Sequence, residues 1–206
     1  MIKQIMKVVL VLTISTIIGT GMVAFSYQWT LPRILANERM MLLSSLNLLV
    51  NKEHYDNDLA SDIRTFVDSD LLGTTDPVTV YRARKNGQPV AAVFNSVAPE
   101  GYNGNIYLLI GINLDGSLAG VRVTAHQETP ALGDRIEAKR SPWILEFAGH
   151  SLTNPSEAGW KVKKDGGVFD QFTGATITPR AVVKAIRNTL VFFQQHRDQI
   201  FETPAQ

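Results

Sequence analysis

The chain has 206 residues, room for one ordinary domain plus an appendage. Its 20 basic and 19 acidic residues leave a formal net charge of +1, and positive charge gathers only at Arg33 to Arg39 and Lys161 to Lys164, neither interleaved with aromatics, which argues against a nucleic-acid binder. The absence of cysteine excludes a thiolate-ligated iron–sulfur cluster, a Cys-x-x-Cys-His haem site, a redox dithiol and a disulfide scaffold, and His54, His126, His150 and His196 lack the spacing of a zinc-protease helix.

No charged residue occurs from Val8 to Pro32. As a helix, Val8 to Trp29 spans about 33 Å, enough to cross a hydrocarbon core of ~30 Å. A cleavable signal peptide is the rival reading, but Val23-Ala24-Phe25-Ser26-Tyr27 supplies no convincing cleavage site. Tyr27 and Trp29 suit an interfacial belt, so a retained anchor is expected over residues 1–30. Lys3 and Lys7 on one side balance Arg33 and Arg39 on the other, and loop charge therefore does not orient it. Gly19-Thr20-Gly21-Met22-Val23-Ala24 superficially fits the dinucleotide fingerprint, yet it follows no strand and opens no βαβ unit. Small residues there better serve close helix packing in lipid.

Residues 31–76 read as a helical connector, with Leu35 to Val50 continuing the helix past Pro32, a second helix around Leu59–Val67 and a break from Gly73 to Pro77. The domain is expected over 77–200, followed by a tail at 201–206. Val78–Ala83 and Pro89–Val97 are strand-like runs joined across Asn86-Gly87, a strong hairpin signal. Ile106–Asn113 and Leu118–His126 form a second pair across Asp115-Gly116. Asp134–Arg140 and Ser141–His150 read as short helices with Trp143 and Phe147 turned inward. In a last helix from Pro179 to about Arg197, Val182, Val183, Ile186, Leu190 and Phe193 make one apolar stripe. The fold class is therefore α+β, an antiparallel sheet with packed helices after one N-terminal transmembrane helix.

Thr173-Gly174-Ala175-Thr176 precedes that last helix, with Thr178 at the N-cap and Pro179 at the first helical position. Such a terminus offers unpaired N–H groups and a positive dipole end, which suit a phosphate. Read alone, the motif is first of all a tight turn relieved by Gly174 and capped by Thr178. Upstream, His126-Gln127-Glu128-Thr129-Pro130-Ala131-Leu132-Gly133 sits where a central strand ends, a position at which loops carry ligand contacts.

Together the two segments resemble the covalent FMN-binding domain found in the G subunit of the Rnf/Rsx electron transport complex and in the C subunit of the sodium-pumping NADH:quinone reductase. Asp170, Thr173, Gly174, Ala175 and Thr176 match the family's flavinylation pattern Asp-x-x-(Ser/Thr)-Gly-Ala-Thr. The resemblance implies that Thr176 carries FMN through a phosphoester bond and that a separate flavin transferase attaches it. The upstream family pattern, Glu-Thr-Pro-Gly-Leu-Gly, is departed from only at Ala131, and Gly101-Tyr102-Asn103-Gly104 is similar to the turn that opens the domain.

The resemblance covers nearly the whole chain. It implies a single-pass protein of the bacterial inner membrane with a periplasmic domain, and partner subunits of a membrane electron transport complex. By the same resemblance Thr173, Gly174 and Ala175 form a backbone cradle for the phosphate, beside Thr178. Glu128, Thr129, Leu132 and Gly133 line the flavin ring, Leu132 by stacking and Thr129 by a hydrogen bond. Asp170 helps the transferase or is a plain surface carboxylate. His126 touches the site or is structural. Two functions stay open: a covalent flavoprotein that relays electrons within an ion-translocating complex, and a non-redox anchored module that binds a phosphorylated ligand reversibly or assembles a complex. No nucleophile–base–orienter set for a hydrolase is present.

Overall fold

Helix α1 (Ile2–Asn47) runs without interruption through Pro32 in a computed structural model that describes residues 1–202. The last four positions of the expected tail lie outside the described residues, while Phe201 belongs to the final helix. Two compact units divide the chain, Met1–Leu42 and a second that begins at Leu43. In the first, α1 is long and apolar enough to cross a membrane, and its side chains are exposed from Ile2 to Thr30. The hydroxyls of Thr13, Thr16 and Thr30 bond back to the carbonyls of Val9, Leu12 and Ser26 at 2.8–2.9 Å. Those polar groups are thereby satisfied within the helix, as a lipid environment requires.

The second unit is built on five antiparallel strands in sequence order: β1 (Ile63–Asp68), β2 (Thr74–Lys85), β3 (Gln88–Gly101), β4 (Gly104–Asn113) and β5 (Leu118–Ala125). Asn86 and Gly87, with φ of 52° and 77°, make the two-residue turn that joins β2 to β3. Tyr102 and Asn103 make the corresponding turn between β3 and β4, where Gly101 faces Gly104.

Along each strand alternate side chains face helix α2 (Ile177–Phe201). Val80, Phe94, Ile110 and Val121 form one cross-strand row of that face, fully buried. The expected stripe of α2, from Val182 to Phe193, is buried against it, and the helix extends beyond the expected range at both ends. The opposite face is closed by the end of α1 and the residues after it: Leu46, Leu49, Val50, Tyr55 and Leu59 are buried. Leu49 sits against the facing glycines Gly111 and Gly120, where a Cβ would stand 3.1 Å and 3.2 Å from its side chain.

The helix expected around Leu59–Val67 is instead β1. Its β-branched Ile63, Thr65 and Val67 alternate with half-buried Arg64, Phe66 and Asp68, a period of two rather than 3.6. Phe66 packs edge-on against Phe192 of α2 at 5.4 Å between centroids. The short helices expected over 134–150 reduce to 3-10 turns, Gly133–Ile136 and Pro142–Leu145, although Trp143 and Phe147 are buried as expected.

Candidate functional site

Three segments converge at the end of the sheet where β3 turns into β4 and β5 ends. They enclose a cavity of about 260 Å³. The β3–β4 turn contributes Tyr102. The loop after β5 contributes Glu128, Thr129, Leu132 and Gly133, and the opening of α2 contributes Gly174, Ala175, Thr176, Ile177 and Thr178. Two wider grooves, of about 540 and 860 Å³, run along α2 but touch neither the 126–133 loop nor residues 170–178.

The loop before α2 is pinned from below. The indole N–H of Trp143 donates to the carbonyl oxygen of Asp170 at 2.8 Å. Buried Phe172 lies edge-on to Trp143 and under the guanidinium of Arg135, 4.9 Å from the ring centroid. Ala175 N–H closes the turn on Phe172 O at 3.1 Å, and Gly174 takes φ of 81°, a conformation that costs an L side chain about 1–2 kcal/mol. This turn delivers Thr176 to the first position outside α2.

Thr176, not Thr178, is the N-cap. Its side chain makes no capping hydrogen bond, so the hydroxyl is left for the cavity it borders. The helix begins at Ile177, two residues earlier than the Pro179 start expected, because proline is tolerated anywhere in a first turn whose N–H groups lack intrahelical partners. Thr178 is 1% exposed, and its hydroxyl donates to Glu128 Oε2.

Glu128 is itself 5% exposed, and its Oε1 accepts from Asn103 N–H at 3.1 Å. Asn103 also donates through its amide to Gln127 O at 3.0 Å, which ties the β3–β4 turn to the loop twice. The loop folds back on itself through Leu132 N–H and Gly133 N–H, both to Thr129 O, and Ala131 takes φ of 62°. Leu132 and Gly174 face each other across the cavity mouth, where a Cβ on the glycine would lie 3.5 Å from Leu132 Cδ2.

Eight of the residues singled out in the sequence meet in this cavity: Glu128, Thr129, Leu132, Gly133, Gly174, Ala175, Thr176 and Thr178. Three do not line it. Thr173 is exposed on the turn. Asp170 is exposed and ion-paired with Lys163 Nζ at 2.6 Å. His126 lies behind the loop: its Nδ1 accepts from Glu128 N–H at 3.0 Å, which leaves its ring proton on Nε2, 2.9 Å from Glu137 Oε1. The ammonium of Lys139, 2.9 Å away, holds the Glu137 carboxyl below the usual carboxylate range; His126 adds to this and partial burial opposes it.

Tyr102, 64% exposed, and Ile177, 46% exposed, are lining residues that the sequence reading left out. The Gly101–Gly104 turn carried the signal for Tyr102, since a β3–β4 turn must lie at the same sheet end as the end of β5. Ile177 carried none.

Comparison with known proteins accounts for both units. Residues 101–191 match the FMN-binding domain family, and residues 1–49 match the RnfG N-terminal region. A Vibrio cholerae protein, named as the G subunit of an ion-translocating oxidoreductase complex, is 45% identical over 204 residues, 99% of this chain and 97% of its own length. Proteins of the same name from Shewanella baltica and Pseudoalteromonas atlantica are 46% and 44% identical, over 94% and 93% of this chain and 91% and 89% of their own lengths. At this identity and near-complete coverage, the chain belongs to the family of G subunits of ion-translocating oxidoreductase complexes.

Proposed function

We propose that this chain is a membrane-anchored flavoprotein that holds FMN through a phosphoester bond to Thr176 and relays electrons within a complex coupling electron transfer to ion translocation. The observation that carries the reading is the placement of Thr176. Its hydroxyl makes no cap bond, at the opening of a 25-residue helix, on the border of a cavity whose other walls are the second motif segment and the β3–β4 turn. The cavity's residues fit such a group. The first N–H groups of α2 and the positive end of its dipole suit a phosphate, and Gly174 keeps the approach open. Leu132, Tyr102 and Ile177 offer apolar surface to a ring, and Thr129 a hydroxyl.

When bound, the flavin supplies the redox chemistry, since it can hold one or two electrons; the protein positions it and sets its electrostatics. A linkage through the phosphate keeps the group in place in every redox state. The cavity falls just below the range of about 300–1,000 Å³ usual for ligand pockets, so a ligand larger than it extends over the exposed side chains at its rim.

The threonine hydroxyl is a poor nucleophile without activation, and among the described residues no histidine lines the cavity to act as its base. A separate flavin transferase is therefore assigned the attachment, with the exposed Asp170 as part of what it recognises. The domain is assigned to the periplasmic side of the inner membrane, and the other subunits of the complex are its electron-transfer partners. Expression with the transferase should give a chain whose yellow fluorescence survives denaturation in SDS. Thr176→Ala should abolish it, and mass spectrometry of the peptide around position 176 should show the added FMN only in the wild type. Covalent flavin retained by the variant overturns the assignment.

A further inference from the structure

Among the described residues, Glu128 is the only acidic side chain lining the cavity, and its carboxylate is already engaged by the protein. One oxygen takes the main-chain N–H of the β3–β4 turn, at Asn103, and the other takes the hydroxyl of Thr178 in the first turn of α2. Its own N–H is held by His126, which anchors the loop it stands on. The two carboxylate bonds reach the two other walls of the cavity, the β3–β4 turn and the opening of α2.

Two glycines make the space. A Cβ at Gly101 would stand 2.8 Å from Glu128 Oε1, and one at Gly133 would stand 2.8 Å from Oε2, both closer than a real Cβ contact allows. Gly133 therefore gives room to a carboxylate. Burying such a group needs compensation, here from two donors and the positive end of a helix. Among the described residues no lysine, arginine or histidine side chain lies within ion-pair distance of it. Its negative charge stays formally unbalanced beside the cavity.

We propose that Glu128 is the positioning residue of this site, a latch across its three walls, and that its charge makes a redox group bound there harder to reduce. The inference rests on the cavity being the flavin site. The physical ground is Coulombic: adding an electron to a group in contact with a fixed, poorly screened anion is opposed by repulsion. Shape and charge can be separated chemically. Glu128→Gln keeps the size and an acceptor for Asn103 while the Thr178 hydroxyl turns to accept from the new amide, so only the charge is lost. Thr178→Val keeps the charge and removes one strand of the latch.

The test uses the full-length chain in detergent, flavin-loaded for redox titration and unloaded for thermal unfolding. Glu128→Gln should move the midpoint potential in the positive direction and leave the unfolding temperature of the unloaded chain close to that of the wild type. Thr178→Val should lower the unfolding temperature and, by leaving the same charge with one donor fewer, move the potential in the negative direction. A loaded Glu128→Gln variant at the wild-type potential overturns this inference and leaves the flavin assignment standing. A wild type that carries no flavin overturns both. If Glu128→Gln does not fold, Thr178→Val decides: a lowered potential upholds the charge as the determinant, and an unmoved or raised one refutes it.

Discussion

Ala131 occupies the left-handed region at φ of 62°, the place where the family pattern has its first glycine. An L side chain there costs about 1–2 kcal/mol, of which a glycine's extra unfolded-state freedom would cancel about 0.5–1. Ala131→Gly should therefore stabilise the domain by about 0.5–1 kcal/mol, measured as a higher denaturant midpoint at unchanged slope. An unchanged or lower midpoint would mean the loop absorbs the strain elsewhere. At this scale Thr176 and its neighbours could be named only because two segments together matched a family's motifs; a hydroxyl on a glycine turn before a helix is by itself an ordinary capped turn. The roles of Gly101 and Gly133 were not legible. Each accommodates an oxygen of Glu128, which lies elsewhere in the chain, and only the fold brings them together.

Helix α2 fixes the site from a distance, because the end that presents Thr176 is only as steady as the other end. That far end is held by arginines of the sheet. Arg64 donates to Gln199 O at 2.7 Å, Arg82 to Ile200 O and Glu202 O at 3.2 Å and 2.9 Å, and Arg84 to Phe201 O at 2.8 Å. Cations at the last carbonyls of a helix satisfy the unpaired acceptors and the dipole together. Arg82 and Arg84 share the carboxylate of Asp62, and Arg82 is buried. Arg82→Met should cost about 3 kcal/mol, the usual loss when a buried pair is broken from one side. Thermal unfolding checks it, and a loss below about 1 kcal/mol would show that Arg64 and Arg84 carry the clamp without it. The hairpins around this helix were readable from Asn86-Gly87 and the alternation that flanks it. Strand β1 was not, since a short run rich in Ile, Thr, Phe and Val is read correctly only once β2 is known to lie beside it.

Across the whole molecule, the segment after Leu43 belongs to the anchor helix by sequence continuity and to the domain by packing. Leu46, Leu49 and Val50 are buried on the sheet face that α2 does not cover. Burying each contributes about 2 kcal/mol, so together they match the lower end of a domain's net stability of about 5–15 kcal/mol. A chain that starts at Leu43 should fold cooperatively in solution, whereas one that starts at Asn51 should lose most of its stability and bind hydrophobic dye. Equal unfolding temperatures for the two would show that the covered face stands without its cover. The sequence led to an expected helical connector at 31–76, but the dual allegiance of the segment after Leu43 was not legible, because apolar density after Pro32 looks the same whether lipid or a sheet receives it.

The clamp at the end of α2 also orders events in time. Its acceptors are the carbonyls of residues 199–202, while the guanidinium groups that meet them lie on β1 and β2, more than a hundred positions earlier. On the ribosome β1 and β2 therefore emerge well before the carbonyls that complete their clamp, with Asp62 to pair Arg82 and Arg84 in the meantime. Ending the chain at Asp198 would take those acceptors from the same guanidinium groups and loosen the helix that aims position 176, with every residue of the cavity still present.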